Sequence, residues 1–151
     1  VLAVGFLAKR QWKPVMGLYA VMLAAYFVHP FGRWFPLWTI LDVLLALILI
    51  YPAARLSRNL FESDPKHLSI SLVFISFIGT VTDSLTRIFL LVPGGLYLFL
   101  GWPPEAVFDA FVVGAAWSYV EDVLLVLVSF LVGVPILFAL RKIPSMKFPL
   151  T

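Results

Sequence analysis

The stretch GTVTDSLTRIF, Gly79 to Phe89, sets Asp83 and Arg87 four residues apart inside one of the most apolar parts of the chain, with Leu72, Val73, Phe74 and Ile75 before it and Leu90, Leu91 and Val92 after it. Whether the backbone runs through this stretch as one helix or turns back at its charges decides how often the chain crosses its solvent. Composition sets that solvent. Hydrophobic residues make up 62% of the chain and charged residues 13%, and the mean hydropathy is +1.03, whereas soluble domains are about 45–50% apolar and about 25% charged. The expectation is an all-α integral membrane protein, multi-pass in the cell membrane with lipid around it. The 151 residues make one polytopic domain, 1–151, with room for about four to six spans of ~20 residues each.

Charge and proline divide the chain. VLAVGFLA at the start is too short for a signal-peptide core, and Lys9, Arg10 and Lys13 follow it where a signal carries its charges ahead. A first residue of Val fits an unusual start codon or residues missing upstream. Pro14 to Val28 and Leu37 to Leu56 are apolar runs, the second carrying Asp42 and Pro52, and Arg55 to His67 is a polar loop before the run Leu68 to Val92. After PGG at 93–95 and LYLFLG, the sequence WPPE at 102–105 opens a new helix, with Pro104 and Glu105 in its first turn. The run from there to Leu140 would be ~54 Å long as a straight helix at 1.5 Å per residue, against ~30 Å of hydrocarbon, so it bends or splits.

Lys and Arg gather at 9–13, 55–66 and 141–147, and none lies in 88–140. The positive-inside rule then makes both termini and the polar loop cytoplasmic, which requires an even number of spans. In a bundle of six transmembrane helices the third run breaks near Gly79–Asp83 and returns through Leu85–Gly101, and Glu105–Trp117 and Tyr119–Leu140 form the last pair. In a bundle of four, Leu68–Val92 is one tilted helix and Glu105–Trp117 lies in the outer interface. Six is favoured, because Pro93, Gly94 and Gly95 can bend a helix within a membrane and Trp102 suits an interface.

Ser76, Gly79, Thr80, Asp83 and Arg87 are spaced 3, 1, 3 and 4, which puts them on one helical face. Asp83 precedes Arg87 in the order that favours an intrahelical ion pair, and pairing lowers the cost of a charge in lipid. The structural alternative is a pair that only fixes packing. Ser118, Asp122, Ser129 and Gly133, offset by 4, 7 and 4, form a second stripe. Glu121 is turned about 100° from Asp122, so one acid serves the interior and the other the interface. Acids that open a helix also suit its dipole. Glu105 and Asp109 make a further i, i+4 acid pair, with Glu105 as a first-turn cap. The candidate ligand-binding residues are Asp42, Thr80, Asp83, Arg87, Trp117, Glu121 and Asp122, with Trp34, Trp38, Trp117 and Tyr119 as stacking walls. Carboxylates outnumber Arg87, so a cavity they share needs protons or positive charge.

Other chemistry is not encoded in recognisable form. His29 and His67 stand beside span ends with no second ligand at metal spacing, and no G-x-S-x-G, H-E-x-x-H or phosphate-cradling loop occurs. The expectation is a protein that is not an enzyme and takes no metal or cofactor. The net charge of +3 sits at span ends, which reflects topology and not a nucleic-acid footprint, and with no cysteine there is no disulfide.

GTVTDSLTRIFLL, GWPPEAVFDAF and SYVEDVLLVLVSFLVGVPILFALRK together resemble the C-terminal half of the S-components of energy-coupling factor transporters, in particular compact archaeal-type prokaryotic members. The resemblance covers roughly residues 68–142, and 14–56 only in general layout. It implies six helices with both ends cytoplasmic, a vitamin or similar small molecule bound in an outward cavity, and docking on a coupling protein that carries two ATPases. A small-residue A-x-x-x-A pattern on the first helix makes that contact in the family, and Ala20 and Ala24 have its spacing. The chain departs from the family at Glu121–Asp122, where an acid followed by a basic residue is expected, and this leaves the ligand open. Two functions follow: a substrate-binding subunit of an uptake transporter, or an accessory subunit packed through Gly and Ala faces into a larger membrane complex. In intact cells, cysteines at Ser63 and Ser145 should be shielded from an impermeant external reagent and one at Gly32 should react; labelling of position 145 from outside would overturn the orientation.

Overall fold

The structure, a computed structural model, describes residues 2–57 and 64–141. Ser63, Ser145, Arg58, Lys142 and Lys147 lie outside the described residues. Every regular element among the described residues is helical: α1 (Leu2–Ala8), α2 (Trp12–Val28), α3 (Pro30–Trp34), a 3₁₀ turn (Leu37–Ile40), α4 (Leu41–Leu56), α5 (Pro65–Leu91), α6 (Leu96–Phe99), α7 (Pro104–Val128), a π-helical turn (Ser129–Gly133) and α8 (Val134–Arg141). Among the described residues three stretches are long and apolar enough to cross a membrane, Leu37–Leu56, Lys66–Leu91 and Pro104–Leu140, and α2 is a shorter apolar helix.

Prolines set most of the boundaries. α2 ends at His29, which is extended ahead of Pro30, and the His29 ring nitrogen Nδ1 accepts from the Phe31 N–H at 3.3 Å to cap α3. Phe35 is likewise extended ahead of Pro36, and the Thr39 hydroxyl donates to the Pro36 carbonyl at 2.7 Å to start the 3₁₀ turn. Pro104 and Glu105 occupy the first turn of α7, as the sequence predicts. Pro93 with Gly94 and Gly95 ends α5, Gly95 taking φ 71°, a conformation glycine adopts without a side-chain clash.

The break expected near Gly79–Asp83 does not form. α5 is one helix of 27 residues, because its polar side chains bond within it and leave the backbone ladder intact. The hydroxyls of Thr80, Thr82 and Thr86 donate to the carbonyls of Phe77 (2.9 Å), Ile78 (2.5 Å) and Thr82 (2.7 Å). Gly79 serves a close approach instead of a turn: a Cβ there would lie 2.7 Å from Val4 Cγ2 of α1. Nor does the last run divide at Trp117–Tyr119, since α7 continues to Val128. The α-helical hydrogen-bond pattern changes later, at the π turn. Pro135 has no N–H, and its ring crowds the carbonyl of Leu131, so the wider turn relieves the ladder just before it.

α5 is the central helix, packed against α4, α7, α1 and α2. Tyr19 of α2 is fully buried and its hydroxyl lies 3.0 Å from the Thr82 hydroxyl and 3.3 Å from the Ile78 carbonyl, tying α2 to α5. At one end of the bundle Phe35 stacks on Phe111 with centroids 4.2 Å apart, and Trp34 meets Phe108 at 4.8 Å. These contacts anchor the start of α7. Beyond them α7 is packed on one side only: none of the most apolar window of Pro104–Leu140 is buried, against 44% for Leu37–Leu56 and 39% for Lys66–Leu91.

Gly32 is buried, and a Cβ there would sit 1.9 Å from the Tyr26 carbonyl oxygen. A cysteine at Gly32 therefore cannot report topology, and Phe99, 89% exposed, is the better position for that probe. Gly32→Ala should lower stability by about 3 kcal/mol, at the upper end of ordinary overpacking costs, because the obstructing atom is backbone. Thermal unfolding in detergent measures this; an unchanged midpoint would refute the close approach.

Candidate functional site

α5 and α7 run antiparallel with their polar stripes face to face. Ser76 Oγ donates to Ser129 Oγ at 2.7 Å, and Ser84 Oγ lies 2.9 Å from Ser118 Oγ. Between the two helices is a groove of about 600 Å³ that collects Ser76, Gly79, Thr80, Asp83 and Arg87 from α5, and Glu121, Asp122, Ser129 and Gly133 from α7 and the π turn. Leu72, Ile75 and Leu125 give it apolar walls, and Val4 of α1 closes one side.

Charge is layered across the groove. On the exposed rim, Arg87 Nη2 lies 2.7 Å from Asp83 Oδ2 and 3.3 Å from Glu121 Oε2, so one guanidinium holds two carboxylates, one from each helix. At the base Asp122 is 4% exposed, and its Oδ2 has no hydrogen-bond partner among the described residues. The Thr80 side chain faces this carboxylate. The expected division of labour between the acids holds in position: Glu121 is on the exposed rim and Asp122 is inside. Arg87 also borders a second, smaller cavity of about 140 Å³ beside Ser84, Phe111, Gly114 and Ser118.

Thr80, Asp83, Arg87, Glu121 and Asp122 are thus brought together; Asp42 and Trp117 are not among the residues lining the groove. Asp42 is buried in the first turn of α4, facing the backbone amides of Asp42 and Val43, where the helix dipole suits an acid. It is close enough to Asp122 for the two charges to interact, and its Oδ1 has no hydrogen-bond partner among the described residues. Trp117 is exposed on α7. The other aromatic residues expected as stacking walls do not line the groove either: Trp34 joins the ring cluster with Phe31, Phe35 and Phe108, the Tyr119 hydroxyl donates to the Trp38 carbonyl, and Trp38 is exposed. Glu105 and Asp109 are exposed near the start of α7. Ala20 and Ala24 are exposed on α2 beside Gly17, where an added Cβ would meet nothing within 4 Å.

Two partners escaped the sequence reading. Ser84 continues the spacing of Ser76 and Thr80 by one more step of four, a signal that was present. Glu121 as the second partner of Arg87 depends on the register between α5 and α7, which no local pattern carries. No protein-family model, curated protein or solved structure matches the chain. No group of three or more His, Cys, Asp or Glu able to hold a metal ion occurs among the described residues.

The double contact of Arg87 changes what a charge deletion does. Asp83→Asn leaves Glu121 to hold the guanidinium and should shift thermal stability little, whereas Asp83→Asn with Glu121→Gln strands it and should cost more than the two single changes summed. Adding Arg87→Gln should recover much of that loss. Strictly additive losses in a detergent unfolding series would show that the three side chains do not act together.

Proposed function

We propose that this chain is the membrane-embedded, non-enzymatic substrate-binding subunit of a small-molecule uptake transporter, and that the groove between α5 and α7 is its binding site. The observation that carries this is the convergence of two polar stripes on one cavity of about 600 Å³ with a buried carboxylate at its base. Its size lies in the range of small-ligand sites, about 300–1,000 Å³, and ionisable groups within membrane helices mark ligand and ion paths by default. The resemblance to S-components of energy-coupling factor transporters points the same way. In that setting the exposed small-residue face of α2, with Ala20 and Ala24, is the docking surface for a coupling protein and its ATPases.

The unbroken α5 favours four crossings, by α2, α4, α5 and α7 with α8, over six. An even count keeps the junction of α1 and α2 and the end of α8 on the cytoplasmic side with Lys9, Arg10, Lys13, Arg55 and Lys66. Arg87 then lies four residues from the outer end of α5, about 6 Å at 1.5 Å per residue, and the rim opens outward. A second reading, an accessory subunit of a larger membrane complex, draws support from the bare apolar face of Pro104–Leu140.

Native mass spectrometry of protein released from mild detergent separates them. A bound small molecule should leave the wild type on activation and be missing from Ser129→Phe, whose ring fills the groove. Stable isolation within a large assembly, with no small molecule retained, would instead favour the accessory role.

A further inference from the structure

We propose that the groove takes a small organic cation, seated with its ammonium group against Asp122. This rests on the groove being a small-molecule site and adds the class of ligand.

Charge comes first. The one guanidinium in the groove already faces Asp83 at 2.7 Å and Glu121 at 3.3 Å, both through Nη2, so its positive charge is more than balanced before any ligand arrives. What the groove leaves open is negative. Asp122 is 4% exposed, lines the cavity, and keeps Oδ2 without a hydrogen-bond partner among the described residues. A buried ionised carboxylate is costly unless paired, and each unsatisfied buried polar atom in a native fold calls for a cause. Oδ2 is itself closed to solvent, so a ligand cation supplies the missing partner by drawing the carboxylate round toward the groove.

The neighbouring hydroxyls have the matching polarity. Thr80 commits its proton to the Phe77 carbonyl at 2.9 Å, and Ser76 commits its proton to Ser129 at 2.7 Å. Both therefore offer lone pairs to the groove. An ammonium carries three N–H donors and no acceptor, which fits a base formed by the Asp122 carboxylate and these hydroxyl oxygens. Volume decides between an organic cation and a bare ion. A hard metal ion needs about six or more oxygen ligands closed around it, whereas about 600 Å³ walled by Leu72, Ile75 and Leu125 has space for an apolar body behind the charged group.

The test uses the full chain in detergent with three probes of one shape, benzylammonium, benzyl alcohol and benzoate. It reads thermal unfolding, and the rate at which dicyclohexylcarbodiimide, an apolar carboxyl reagent, modifies Asp122. Benzylammonium should raise the unfolding midpoint and slow the modification. Asp122→Asn should weaken the benzylammonium effect at least about tenfold, the scale of a lost charge-assisted hydrogen bond, while Asp109→Asn leaves it unchanged. Should Asp122→Asn not fold, the wild-type modification rate decides alone. Equal effects from benzyl alcohol, or a preference for benzoate, would overturn the cation while leaving the groove as a small-molecule site. Protection of Asp122 by sodium alone would overturn it in favour of an inorganic ion. No effect from any probe would overturn both the cation and the groove.

Discussion

The hydroxyl contact between Ser76 and Ser129, with its counterpart between Ser84 and Ser118, sets the register in which α7 runs beside α5. Shift that register by one residue and the rest of the site comes apart. Asp122 would rotate by about 100° around its helix, away from Thr80, and Glu121 would no longer lie opposite Arg87. Small hydroxyl side chains suit this job in an apolar setting, since each can donate and accept across a close helix contact. Because lipid tails compete equally for apolar surface, the polar contacts carry the specificity of the α5–α7 pairing, and the leucines and valines around them supply packing.

The remaining helices hold α5 in place from its other sides. Tyr19 bonds to Thr82, and Val4 sits where a side chain on Gly79 would be. α5 is therefore braced by α1, α2 and α4, and α7 packs along it as a further neighbour. The groove lies between the braced helix and this neighbour. A cavity at such a boundary has one firm wall and one wall whose outer surface is free of protein, an arrangement in which occupancy of the cavity and the position of α7 are mechanically linked.

Much of this was legible in the sequence, and the misses have identifiable causes. The helical class and the two polar stripes follow from composition and from a period near 3.6, and both are local properties. Continuity of α5 was carried only by the four-span alternative, because Gly79, Asp83 and Arg87 resemble the punctuation that ends helices. Only their surroundings show the glycine making room for Val4 and the charges closing on one another. Asp42 drew attention as an acid in an apolar run, but a place in the first turn of α4 gives an acid a local reason to be there. Trp117, one of the aromatic residues expected as a wall, lies near Asp122 in sequence. Five residues along a helix amount to about 500° of rotation, and that carries the indole well around the helix from the acid.

The π turn at Ser129–Gly133 has a consequence for the end of the chain. A π turn accommodates one residue more than an α turn, and one residue is about 100° of helical phase. α8 is therefore shifted in phase relative to α7, and a side chain of α8 points about 100° away from where an unbroken α-helix would aim it. The apolar pattern of this long run is therefore written in two registers, one for α7 and a second, offset by one residue, for α8.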